Sequence, residues 1–186
     1  NIPQILIQPL KPALIAGVAQ KLPVLIRVQA PDAVATEKKA RKPYHLALVI
    51  DRSGSMAGPP LAEAVRCAKH ITDQLQPTDT ASLVIFDDRV QTLVPARPVG
   101  DRKALHLALS RVHSGGSTNL HGGWQVGADG LLPGAAAAAL ARVILLSDGN
   151  ANIGEITDTN SIAALCAQAA ERGVTTSTYG LGSHFN

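Results

Sequence analysis

The 186-residue chain is poor in aromatic side chains: two Tyr, two Phe and one Trp, 3% of the sequence. That shortage removes the stacking platforms on which single-stranded nucleic acids are held. It leaves the core to Leu, Val, Ile and Ala, which suit helices packed closely on a sheet. Cysteine is scarce as well. Cys67 and Cys166 each sit in a helical pattern, and their spacing matches no metal or redox motif, so they read as core or near-core thiols. No apolar run approaches the ~20 residues of a membrane span, and no charged-then-apolar signal segment opens the chain. The chain reads as soluble. It begins with Asn1 rather than Met, which leaves room for a removed leader or upstream domain, and the compartment stays open between cytoplasm and cell envelope.

Strong charge of either sign is also lacking: 17 Lys and Arg face 14 Asp and Glu, for a net charge of +3 and a pI near 9.1. Only Lys38, Lys39, Arg41 and Lys42 form a basic run, which reads as a solvated linker in preference to a phosphate-binding patch. What the chain does have is 46% hydrophobic residues, ample for one sizeable core.

Composition divides the sequence at about residue 40. Residues 1–40 hold two short runs of strand character, Ile5–Ile7 and Val24–Val28, followed by the proline-bounded, basic stretch PDAVATEKKARKP. From residue 41 onward, strands alternate with helices. The apolar runs 45–50, 81–86, 90–94, 142–147 and 174–179 read as strands, and continuous runs of this kind are buried on both faces. The fourth is the most apolar and is expected at the centre. Helices are expected over 61–75, with Pro59 and Pro60 at the start; from an Asp101 cap to Val112; over 119–132, despite four glycines; and over 161–173, between a Ser161 cap and a Gly173 stop. This is the pattern of a doubly wound, mostly parallel α/β sheet.

In such a sheet, ligands bind beyond the carboxyl ends of the strands. The first strand ends in DRSGSM, with Asp51, Ser53 and Ser55 on alternate positions and Gly54 allowing a bend. SGGSTNL, with Thr118, lies between the later strands, and LLSDGNANIG places Asp148 after the fourth. Two carboxylates and three hydroxyls make an all-oxygen set suited to a hard cation, and the absence of local Cys or paired His argues against zinc or copper. Mg²⁺ is the expected ion, with Mn²⁺ or Ca²⁺ as alternatives. Arg52 and Met56 are expected to point elsewhere. The remaining polar residues near these loops have plainer readings: Asp87 and Asp88 as a hairpin turn, Asn150 and Asn152 as loop-shaping residues, Thr118 and Asn119 also as helix caps, His121 as a surface or packing residue, and Trp124 as a packing residue.

Taken together, DRSGSM, GGSTNL and LLSDGNANIG resemble the von Willebrand factor type A domain. That family's metal-ion-dependent adhesion site (MIDAS) is written DxSxS, then a threonine, then an aspartate. The wording looks most like the bacterial branch, in which a short β segment precedes the domain, and the resemblance covers residues 44–186. It implies a Rossmann-like fold. It also implies that Ser53, Ser55 and Thr118 contact the metal directly or nearly so, while Asp51 and Asp148 hold it directly or through water. The metal's free position would take an Asp or Glu of a partner protein, a binding function and not a catalytic one. A complete domain of this kind continues with a further helix and strand after 174–179, so the ending GLGSHFN leads us to expect a C-terminally incomplete domain, with sheet-edge protection and oligomeric state in question.

The competing class is a Mg²⁺-dependent hydrolase or phosphotransferase with Asp51 at the metal. Against it, Ser53 stands where a second acid two residues on would be needed. The site loops hold no lysine, and no GxxxxGK[ST] phosphate loop occurs.

Overall fold

A computed structural model describes residues 4–11, 13, 15–29, 41–138, 140–182 and 185. The chain divides into two units, Asn1–Ala40 and Arg41–Asn186. In the first, strands β1 (Gln4–Pro9) and β2 (Val24–Gln29) pair antiparallel, with Ile5 opposite Val28 and Ile7 opposite Ile26. Both strands are exposed along their whole length. The proposed linker lies largely outside the described residues, since 30–40 are not among them.

The second unit runs β3 (Tyr44–Asp51), α1 (Pro59–Gln74), β4 (Thr80–Phe86), β5 (Val90–Pro98), α2 (Lys103–Leu109), α3 (Leu120–Leu131), β6 (Leu140–Ser147), α4 (Thr159–Glu171) and β7 (Val174–Gly180). Its strands form one sheet in the order β5-β4-β3-β6-β7, parallel except for β5, which returns antiparallel beside β4. The sheet is thus mixed but mostly parallel, with helices on both faces. The middle place belongs to β3 and not to the more apolar β6, which lies between β3 and β7. Apolarity reports burial on two faces, and every interior strand has that, so it does not rank them.

Alternation along β3 explains how one strand serves two cores. Leu46, Leu48 and Ile50 pack on one face with Leu61, Ala64 and Ala68 of α1 and Leu105 and Leu109 of α2. Ala47 and Val49 face the other way, into a cluster with Trp124, Ala128 and Leu131 of α3 and Ala169 of α4. Among the described residues no helix is long and apolar enough to cross a membrane.

Two of the four expected helix starts are met as written and two are displaced. Pro59 and Pro60 open α1, and the Asn119 side chain caps α3 by accepting from the Gly122 N–H at 3.0 Å. α4 begins earlier than expected: its cap is Asp158, whose carboxylate accepts from the Ser161 N–H at 2.8 Å. An acid three residues upstream satisfies that N–H better than a serine inside the first turn could. At α2 the cap position is Arg102, at φ 65°, while Asp101 accepts from the Lys103 N–H at 3.2 Å.

Arg41 also departs from the solvated-run reading. Its guanidinium meets both oxygens of Asp79, at 2.7 and 2.6 Å, and lies 3.8 Å over the Tyr44 ring. Asp79 accepts further from the Tyr44 N–H at 2.8 Å and the Gln76 N–H at 2.7 Å. This fully buried acid fastens the amino end of β3 to the turn before β4. It also fixes the register in which β3 carries its last residue, Asp51, to the opposite edge of the sheet.

Candidate metal centre

At the carboxyl edge, β3 ends on Asp51, fully buried, and the chain turns through a short 3-10 segment, Gly54–Met56. The turn is held by the acid itself: one Asp51 oxygen accepts from the Ser53 N–H at 2.8 Å. Ser53 is buried and Ser55 exposed, with their hydroxyls 3.2 Å apart. Gly54 has no left-handed φ, so the bend does not draw on glycine's freedom there. Its N–H instead donates to the Gly116 carbonyl at 2.8 Å, tying this loop to the one that carries Thr118.

Thr118 is buried at the start of α3, and the fourth-strand loop grips it from the far side. The Thr118 N–H donates to the Asn152 side-chain carbonyl at 2.8 Å, while the Asn152 N–H donates to the Thr118 carbonyl at 3.1 Å. Asn152 therefore shapes a junction between two loops and not only its own. That pairing needs an amide on the fourth-strand loop, and the motif spacing alone did not point to it.

Asp148 is buried just past β6, with one oxygen accepting from the Asn150 N–H at 3.1 Å. The residue before it is the member that the sequence reading missed. Ser147 Oγ donates to the second Asp51 oxygen at 2.6 Å and accepts from the Gly149 N–H at 2.9 Å. Its signal was its position, since the last residue of a strand beside β3 is bound to face one side of Asp51 or the other.

The structure thus joins all three loops and links Ser147, Asp51, Ser53 and Ser55 in a chain of hydrogen bonds. Asp148 adjoins Ser147 in the chain and acts on Asp51 electrostatically, while Thr118 is linked to the group through Asn152 and the Gly54–Gly116 bond. Burial pushes the Asp51 carboxyl above its ordinary value. Hydrogen bonds from Ser147 and Ser53 work against that rise, and the neighbouring Asp148 carboxylate adds to it. Among the described residues no Lys, Arg or His forms an ion pair with Asp51. The nearby Arg52 is already committed to Asp87, at 2.6 Å. Two buried acids with hydroxyl oxygens around them and no balancing cation form a donor set that fits a hard divalent ion. Among the described residues no three His, Cys, Asp or Glu side chains gather at one point, so hydroxyls would have to complete any ion's shell here.

The two histidine and tryptophan readings beside the site are met in packing: His121 is buried on α3, and Trp124 is buried with its indole N–H donating to Thr176 Oγ1 at 2.9 Å. Asp87 and Asp88 do make the turn between β4 and β5, with the Asp87 carboxylate accepting from the Arg89 N–H at 2.8 Å. Asp87 also pairs with Arg52, which that reading did not include.

Residues 45–186 match the von Willebrand factor type A domain model. A protein of Synechocystis is 30% identical over 154 residues, covering 83% of this chain and 36% of that protein. The chain spans little more than a third, or less, of the length of the curated relatives it matches. Among solved structures, the manganese-loaded TRAP protein of Plasmodium vivax superposes with a TM-score of 0.62 at 16% identity, covering 78% of this chain and 59% of that chain. Proximal thread matrix protein 1 of the mussel byssus, with a zinc-occupied MIDAS motif, gives a TM-score of 0.58 at 17% identity, covering 75% and 38%. At these identities the likeness to both structures is one of fold.

Proposed function

Because the chain belongs to the von Willebrand factor type A domain family, we propose that its carboxyl-edge site is a metal-ion-dependent adhesion site that captures an acidic side chain of a partner protein. The observation that supports this most is the buried Asp51 carboxylate, beside a second buried acid and serine hydroxyls, with no cationic partner among the described residues. Asp51, Ser53, Ser55, Thr118 and Asp148 would hold the ion. Ser147 orients Asp51 from behind without being a ligand itself.

The ion's chemistry here is to present positive charge at a position open to a further oxygen. Two acids neutralise a dication and the hydroxyls add no charge, so an incoming carboxylate is not repelled. One solved structure of the fold is named as manganese-loaded, and another for a zinc-occupied MIDAS motif. We propose Mg²⁺ for this chain, because hydroxyl and carboxylate oxygens suit a hard ion.

Thermal melting tests the reading. A ligand that binds only the folded state raises stability by about 2.7 kcal/mol at a hundredfold excess over Kd, or roughly 5–10 °C for a chain of this size. We expect such a rise with millimolar Mg²⁺ over chelator, and none in Asp148→Ala. A wild-type protein that melts at the same temperature with and without Mg²⁺, Mn²⁺ or Ca²⁺ would sink it.

A further inference from the structure

Beside the loop that carries Asp148 lies a cavity of about 590 Å³, within the range of about 300–1,000 Å³ usual for ligand pockets. It shares a wall with the adhesion site. Ser147, which donates to Asp51, lines it, and so does the 149–152 segment that grips Thr118. Trp124, Leu145 and Ile162 supply apolar surface, and Thr176 and Thr178 supply hydroxyls. Among the described residues no Lys, Arg, His, Asp or Glu lines it.

The place of the cavity follows from the topology. Ser147 and Gly180 are the last residues of β6 and β7, and Leu120 and Thr159 are the first of α3 and α4; all four line the cavity. It therefore lies at the carboxyl edge of the sheet, the edge at which Asp51 and Asp148 stand. A charged group entering it would lose hydration and find no countercharge, which restricts the occupant to an uncharged one. The Trp124 N–H is already spent on Thr176, so the indole offers its ring and not a donor.

We infer that this cavity is a second recognition subsite, taking an apolar side chain next to the acid in the same partner segment. The inference rests on the metal-capture reading for its anchor. An acid held on the ion keeps its neighbouring side chain at high effective concentration beside the cavity, so the subsite needs no high affinity of its own. A lone small molecule lacks that advantage.

Trp124 is the only tryptophan of the chain, and its emission reports on the cavity. The probes are capped tripeptides: Gly-Asp-Gly, Gly-Asp-Leu and Leu-Asp-Gly, titrated by calorimetry and by Trp124 emission with Mg²⁺ and with chelator. Burying one leucine side chain is expected to make a leucine peptide about tenfold tighter than the glycine peptide, and only the leucine peptide is expected to shift the emission. Thr178→Phe, which fills the cavity from an exposed strand position, is expected to bring the leucine peptides down to the glycine level. If Mg²⁺ raises the melting temperature but leucine gains nothing over glycine, the subsite is overturned and the metal reading stands. If Mg²⁺ raises nothing, the metal reading falls and this inference with it. Leucine peptides that bind equally well in chelator, with the emission shift, would make the cavity an independent site and overturn the two-part recognition.

Discussion

The Arg52 guanidinium meets the Asp87 carboxylate at 2.6 Å, with only 4% of the acid's side chain exposed. The pair joins the loop after β3 to the turn after β4, and the third loop is tied to both. Gly115 N–H donates to the Arg52 carbonyl at 2.6 Å, and Gly116 N–H lies 3.4 Å from the same Asp87 oxygen. A Cβ on Gly115 would stand 1.9 Å from that oxygen, so the approach requires a glycine. Neither Arg52 nor Asp87 is proposed as a ligand, yet the loop that delivers Thr118 is registered against them.

Replacing Asp87 by Asn leaves the Arg52 guanidinium without its charge partner, and Arg52 Nε is already buried and unpaired among the described residues. The expected loss is about 1–3 kcal/mol in urea unfolding. Mg²⁺ affinity is expected to weaken as well, although no ligand has changed. Arg52→Ala combined with Asp87→Asn should cost clearly less than the two single losses added, since the second change removes the stranded charge. Strict additivity would show that the pair does not couple the loops.

Asp51→Asn is expected to act with opposite signs with and without metal. Burial raises the folded Asp51 carboxyl above its unfolded value, with Asp148 adding to it, so the folded chain holds that proton more tightly. Metal-free stability therefore falls as pH climbs from the unfolded value through the folded one. Above that window the unbalanced charge is a standing cost, which the amide removes. Without metal at neutral pH the variant should melt at or above wild type; with Mg²⁺ the wild type should gain and the variant should not. Melting curves of both proteins at neutral pH, in chelator and in Mg²⁺, check both signs, and a metal-free variant that melts clearly below wild type would refute the first.

These pairs also mark what could be read from the sequence. Continuous apolar runs and glycine-rich loops revealed the sheet, its helices and the three loops, because two-faced burial and strand-end turns leave a local pattern. The strand order did not follow, since interior strands look alike. Local caps such as Asn119 were legible, whereas contacts between distant segments were not. Asp87 fits a hairpin turn and Arg41 a solvated run until β4 is laid beside β3. Ser147 was hidden for the same reason: its partner Asp51 is 96 residues away.

Asp79 makes the pH dependence run the other way from Asp51. Burial opposes its charge, but hydrogen bonds from Arg41 and from the Tyr44 and Gln76 N–H groups outweigh that and hold its carboxyl below the ordinary value. Its contribution is present above the unfolded carboxyl value and is lost as pH falls through that value toward the folded one. Acid unfolding below roughly pH 4 should therefore lose part of its steepness in Asp79→Asn. At neutral pH that variant should already be less stable by about 2–3 kcal/mol, because one oxygen and the charge facing Arg41 are gone. Urea unfolding from pH 3 to pH 7 checks both.

Two glycines of α3 are expected to respond oppositely to alanine. At Gly127 a Cβ would stand 2.5 Å from Val49 Cγ2, and Val49 is fully buried in the middle strand with a stiff side chain. The helix lies that close to β3 because Gly127 has no side chain. Helix propensity would gain about 1 kcal/mol from alanine, but overpacking against a core valine costs about 1–3 kcal/mol, so Gly127→Ala should destabilise. Gly130, exposed and with nothing within 4 Å of its Cβ position, carries no such cost, and Gly130→Ala should stabilise by about 0.5–1 kcal/mol. The effect on the site should separate them further. α3 begins two residues after Thr118, so pushing the helix off β3 should displace Thr118 and weaken Mg²⁺ binding in Gly127→Ala but not in Gly130→Ala. Urea unfolding and Mg²⁺ titration of both variants measure this. If Gly127→Ala lost stability yet bound Mg²⁺ as wild type does, the helix would not be what positions the threonine.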